Sequence, residues 1–136
     1  MKRLMISLSA VLMLSCTIAG AQRIASSSFT TMAYIRDDGT MQDASFRTIG
    51  YFKPGGTVQD ASFRTIAYIK PGGTVQDASF RTVGYIKDNG TVQDASFRTI
   101  GYVKPDGTVQ DSSFRTIGYA KGIPRQRAAF YFFFME

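Results

Sequence analysis

Residues suited to binding rings and ions recur through this chain every 17 positions. Tyr34, Tyr51, Tyr68, Tyr85, Tyr102 and Tyr119 form one series, Arg47, Arg64, Arg81, Arg98 and Arg115 a second, and Asp43, Asp60, Asp77, Asp94 and Asp111 a third. On a solvated face, tyrosines repeated in this way offer flat apolar platforms with a polar tip, suited to a sugar or to a partner protein. Arginines beside them add cationic donors, so Tyr51, Tyr68, Tyr85 and Tyr102 with Arg47, Arg64, Arg81 and Arg98 make the candidate binding face. Stacking of the tyrosines by their own neighbours is the competing and simpler expectation. The aspartates, if they converged, could hold a hard cation through oxygen ligands. Within Asp-Ala-Ser-Phe-Arg, however, an aspartate is placed to cap its own turn and meet the arginine, and that assignment is preferred. No metal site and no cofactor are therefore expected.

Catalysis has few groups to draw on. The chain has no histidine, its one cysteine is Cys16, and its one glutamate is the terminal Glu136. The usual proton shuttles near neutral pH are missing, and a protein without enzymatic activity is expected.

The N-terminus reads as an export signal. Met1-Lys2-Arg3 is followed by an apolar run from Leu4 to Ile18 that is short for a permanent membrane span, and then by the small residues Ala19-Gly20-Ala21. Cleavage after Ala21 would leave residues 22–136 as one mature domain beginning at Gln22. Lipoprotein processing at Cys16 fits less well, because bulky Leu14 stands where a small residue is wanted. The mature chain would lack a cysteine, which suits a periplasmic or cell-surface protein of a bacterium better than a disulfide-rich animal secretion. Taking Lys2 and Arg3 from the 16 basic residues leaves 14 against 10 acidic ones, a net charge of +4. Interleaved with aspartate, these cations form no continuous stripe for a phosphate backbone, and nucleic acid is excluded as a partner.

The elements that carry the side chains are set by the same period. Phe46, Phe63, Phe80, Phe97 and Phe114 each open a phrase Phe-Arg-Thr-(Ile/Val)-(Gly/Ala)-Tyr, and Phe29 opens a degenerate first copy with Thr30 in place of arginine and Ser26 in place of aspartate. Aromatic and β-branched residues from Phe46 to Lys53 predict a strand, and Thr57-Val58-Gln59 begins a second. Pro54-Gly55-Gly56 and its counterparts predict a three-residue hairpin loop with a glycine bulge. With Lys53 opposite Thr57, the residues Phe46, Thr48, Gly50, Phe52 and Val58 share one face, expected to be the core. Arg47, Ile49, Tyr51 and Gln59 share the other, expected to be partly solvated. At the position of Gly50, where Ala33 and Ala67 stand in two copies, only small residues occur, which predicts close packing, most simply by the neighbouring unit.

One 17-residue hairpin cannot bury its apolar face alone, so the copies must cover one another, and their near-identity favours a closed ring. The expected fold is all-β: a closed ring of hairpins starting at 29, 46, 63, 80 and 97, a half-repeat from 114, and a tail over 122–136. Half-units 23–28 and 114–120 could pair as a sixth petal. The Phe130-Tyr131-Phe132-Phe133-Phe134-Met135 run is expected as a final strand tucked over the ring, in preference to an exposed patch that docks on a membrane.

The phrase Gly-Thr-Val-Gln-Asp-Ala-Ser-Phe-Arg-Thr-Ile-Gly-Tyr, with Gly118-Tyr119-Ala120-Lys121-Gly122 and the aromatic run after it, resembles the small exported Bacteroidetes repeat proteins described as five-fold β-flowers. The resemblance covers the whole mature chain and implies hairpin petals about a pseudo-five-fold axis. It implies no settled activity. The function expected is that of a structural or binding protein of the bacterial envelope, with an envelope protein or a glycan as partner. The alternative is a small-ligand or metal-binding module using the axial rings.

Overall fold

The computed structural model describes residues 20–135. The expected signal segment, apart from Gly20 and Ala21, lies outside them. Twelve strands run in chain order: β1 (Ala21–Ser26), β2 (Thr31–Arg36), β3 (Thr40–Asp43), β4 (Thr48–Phe52), β5 (Thr57–Asp60), β6 (Thr65–Ile69), β7 (Thr74–Asp77), β8 (Thr82–Ile86), β9 (Thr91–Asp94), β10 (Thr99–Val103), β11 (Thr108–Asp111) and β12 (Thr116–Tyr119). A helix, α1 (Arg125–Phe133), follows. Each strand pairs antiparallel with its chain neighbours, and β12 pairs with β1 through Gly118↔Ser26 and Tyr119↔Ala25, so the sheet closes on itself. Five hairpins follow one another along the chain. The two half-units at the ends pair with each other and supply a sixth equivalent position.

Both connections in a repeat are the same kind of turn. In Lys53 to Thr57 the Gly56 amide donates to Lys53 O and the Lys53 amide donates to Thr57 O, with Gly56 at φ +93°. In Asp60 to Arg64 the Phe63 amide donates to Asp60 O and the Asp60 amide to Arg64 O, with Phe63 at φ +69°. The first was expected from its glycines. At the second a turn capped by its aspartate was expected, but not its form, because a phenylalanine occupies the left-handed position where glycine is the usual residue.

That turn corrects part of the expected face assignment. The register Gly50↔Asp60, Tyr51↔Gln59, Phe52↔Val58 is the one anticipated, and Gly50, Phe52 and Val58 are buried. Phe46 and Thr48, expected with them, are exposed. Left-handed backbone at Phe46 takes it out of the pleat, so alternation cannot be extended through it. Ile49, expected on the solvated face, packs against the core. The following repeat shows why: Val58 pairs with Ala67 and Gln59 with Thr65, which leaves Ile66 as a bulge residue that resets the alternation.

The buried side chains form layers. Ile24, Met41, Val58, Val75, Val92 and Val109 make one ring, and Ile35, Phe52, Ile69, Ile86, Val103 and Ala120 a second. Ala33, Gly50, Ala67, Gly84, Gly101 and Gly118 make a third, of small residues.

An eight-stranded barrel is about as wide as its own side chains can fill, and twelve strands leave a wider lumen. Helix α1 occupies it, burying Ala128, Ala129 and Phe130. The aromatic tail is therefore a helix and not the expected strand. A closed sheet has no edge for another strand to join, whereas a helix satisfies its backbone groups internally and can lie in an apolar channel. Cβ atoms built on Gly84, Gly101 and Gly118 would come within 2.5 Å of the Phe134 ring, 2.2 Å of the Phe133 ring and 2.6 Å of the Phe132 ring. The close packing foreseen at these positions is real, and the helix supplies much of it. The neighbouring strand supplies the rest, with Gln59 O at 2.6 Å from a Cβ built on Gly50.

Candidate functional site

Strand β4 holds Gly50 and Phe52 inward and so turns Tyr51 outward, between Thr40 on one neighbouring strand and Gln59 on the other. The same placement repeats for Tyr68, Tyr85 and Tyr102, which puts all four expected platforms on the outer wall, half-buried. Each is covered by a ring from the next turn. Tyr51 stacks on Phe63 with centroids 4.8 Å apart and planes 11° from parallel, and Tyr34–Phe46, Tyr68–Phe80, Tyr85–Phe97 and Tyr102–Phe114 repeat the arrangement. Phe29 on Tyr119, at 4.7 Å, carries it across the point of closure. The left-handed turn is what swings each phenylalanine onto the wall. Its outer face stays open: Phe63 is 64% exposed.

The tyrosines lie on the solvated side and are stacked by neighbours as expected, but the stacking group is the phenylalanine expected in the core and not a neighbouring arginine. The signal that could have corrected this was the Asp-Ala-Ser turn already assigned to the aspartate, because a turn there takes the following phenylalanine out of the strand alternation.

Arg47, Arg64, Arg81 and Arg98 lie at the same turns, next in sequence to the exposed phenylalanines. The Asp43 carboxylate accepts from the Ser45 and Arg47 amides through Oδ1 and from Arg47 Nε through Oδ2, at 2.9, 3.0 and 3.0 Å. Four further copies repeat these bonds at Asp60, Asp77, Asp94 and Asp111. The Arg47 backbone N–H is the main cause holding the Asp43 carboxyl below its ordinary pKa of 3.8, and the Arg47 charge adds to it. Each aspartate thus caps its own turn. Among the described residues no group of three or more histidine, cysteine, aspartate or glutamate side chains is placed to hold a metal ion.

At the barrel end where these turns lie, α1 leaves part of the lumen unfilled. A cavity of about 550 Å³ is lined there by Ile49, Ile66, Ala67, Val83, Phe133 and Met135, among others. At the opposite end Arg125 donates to Asp88 O, and the Arg127 guanidinium lies 5.5 Å from the centre of the Phe52 ring. No described helix is long and apolar enough to cross a membrane.

A family model described as "5-fold beta-flower protein" matches residues 21–136. No curated protein and no solved structure matches the chain.

Proposed function

The chain belongs to the 5-fold beta-flower family, and from that premise we propose that it is an exported binding protein of the bacterial envelope, without enzymatic activity, whose outer wall engages a glycan at several equivalent stations. The observation that carries this is the use of phenylalanine at a left-handed position in all six turns. Within the same repeat, the other turn has glycine at the corresponding place. Left-handed backbone costs a non-glycine residue about 1–2 kcal/mol and the tyrosine stack returns about 0.5–1.5 kcal/mol, so each phenylalanine adds little net stability over the glycine that closes the other turn. What the strain provides is an open ring face on a rigid scaffold, flanked in five of the six copies by the arginine next in sequence and by the Gln and Thr of the wall. A pyranose ring can lie on such a face, and six of them favour a polymer, because linked weak contacts multiply into avidity.

Export is supported by the basic, apolar and small-residue order of residues 1–21. Mass spectrometry of the protein from its host should give a chain beginning at Gln22, and a lipidated peptide beginning at Cys16 would overturn that reading. For the wall, sedimentation with insoluble bacterial and plant polysaccharides is the direct test. The native chain should co-sediment with at least one neutral polymer, and the triple variant Phe63→Ala, Phe80→Ala, Phe97→Ala should lose at least tenfold in affinity while its melting curve remains cooperative. Equal binding by both proteins would refute the wall as the site. The lumen cavity favours a second reading, a carrier of a small apolar ligand, which predicts a rise in melting temperature with such a ligand in excess.

A further inference from the structure

The barrel closes where β12 meets β1, and there the repeat departs from itself in several ways that all fall on one patch. Ala25 stands across from Tyr119, in the position that Gln59 holds across from Tyr51. Arg23 stands across from Tyr34, in the position that Thr57 holds across from Tyr68. Ser26 and Thr30 replace the aspartate and arginine that form an ion pair in the other five copies. No turn joins β12 to β1, because β12 runs on through Lys121 and Gly122 toward α1. The result is a groove of about 520 Å³ whose lining includes Ala25, the stacked Phe29 and Tyr119, Arg23, Lys121 and Asp106.

The charges of this groove differ from those of the rest of the wall. Every repeat arginine is matched by its aspartate, whereas among the described residues Arg23 forms no ion pair, and it lies beside Lys121, which like its repeat counterparts Lys53, Lys70, Lys87 and Lys104 forms none. Arg23 is nonetheless fixed in place, since its Nη1 donates to Phe29 O and Thr31 Oγ1, both at 3.0 Å. Both acceptors are neutral, so neither sets a negative charge against the guanidinium. Asp106 is the one acidic group in the lining, and its Oδ1 accepts the Thr108 amide in its own turn. Two cations, one of them immobilised, therefore border an aromatic surface along this groove.

We propose that this seam groove is a single binding site for a carboxylated sugar ring, such as a uronic acid residue of an acidic polysaccharide, with Tyr119 and Phe29 presenting the ring surface and Arg23 and Lys121 receiving the carboxylate. The inference rests on the glycan reading of the wall for the kind of ligand, and adds to it a site that exists once per molecule and selects for negative charge. A guanidinium matches a carboxylate with paired donors, and the groove gives the ring depth that the flat stations lack.

The test uses the full mature chain, with oligo-galacturonate and a neutral oligosaccharide of equal length as probes, followed by amide NMR shifts and by calorimetry at two salt concentrations. The acidic probe should move the amides of Arg23, Ala25, Tyr119 and Lys121 first, with a stoichiometry of one. Its affinity should fall at least fivefold in Arg23→Gln and again in Lys121→Gln, and it should weaken with salt. Neutral-probe binding at the repeated stations should be unchanged in both variants. Acidic-probe affinity equal in native and variant proteins, or shifts spread evenly over the six turns, would overturn the seam site and leave the wall intact. Loss of the neutral probe's binding, with acidic shifts still confined to the seam, would instead overturn the wall and keep this site. The variant Lys104→Gln, outside the groove lining, controls for a general loss of charge and should bind both probes as the native chain does.

Discussion

Two effects of opposite sign meet at a single residue such as Phe63. Its left-handed backbone costs about 1–2 kcal/mol, and its stack on Tyr51 returns about 0.5–1.5 kcal/mol. Phe63→Gly removes both and should change stability by less than about 0.5 kcal/mol in urea denaturation. Phe63→Ala removes the stack and keeps most of the strain, and should cost about 1 kcal/mol. A glycine variant markedly less stable than the alanine variant would show that the strain is small. The capping aspartates act through pH. Their carboxyls are held below the ordinary 3.8 chiefly by backbone N–H donors, as with Arg47 on Asp43. The folded state therefore binds protons less readily than the unfolded chain. This contribution is fully present above the ordinary carboxylate range and is lost as the pH falls through that range and below it. Melting temperature should be level from pH 7 to about pH 5 and drop below about pH 4. An Asp60→Asn, Asp77→Asn double variant should lose stability at neutral pH and show a shallower acid drop.

At the scale of the element, glycines at different places in the repeat have different tasks. Gly56 at φ +93° is needed for its backbone, but Gly101 is needed for its size, since a Cβ there would meet the Phe133 ring at 2.2 Å. Gly101→Ala should destabilise the barrel by about 1–3 kcal/mol, the usual range for overpacking, as read from thermal or urea unfolding. Gly72, with nothing within 4 Å of a built Cβ, should accept the same change with little effect. Equal costs at both positions would mean that α1 does not press on the wall. The spacing of small residues at 33, 50, 67, 84, 101 and 118 made close packing readable in the sequence. The identity of the packing group was not readable, because a helix that begins at Arg125, beyond the last small position at Gly118, leaves no trace in the period of the strands.

For the whole molecule, the question is what fills the lumen. Residues 128–135 supply Ala128, Ala129, Phe130 and the partly buried rings that follow, and burial of a large aromatic contributes about 2 kcal/mol before entropy is counted. Truncation after Arg127 should cost much of a typical stability of about 5–15 kcal/mol and lower the melting temperature steeply or cause aggregation. A truncated chain as stable as the full one would show that the ring stands without its plug. The local features were legible from residue types alone. The 17-residue period, the glycine loop, the register of Phe52 on Val58 and the outward tyrosines all follow from alternation and turn chemistry, which act between residues close in the chain. Three things were decided only in tertiary structure: the pairing of β12 with β1 as a sixth unit, the helical form of the tail, and the exposure of the phenylalanines. Each depends on the finished ring. Closure is set by strand twist and tilt summed around twelve strands, the lumen by the resulting diameter, and the tail by the absence of any edge on which it could pair. The phenylalanines turn outward because the second hairpin loop places them at a left-handed position and the tyrosines of the preceding hairpin receive their rings.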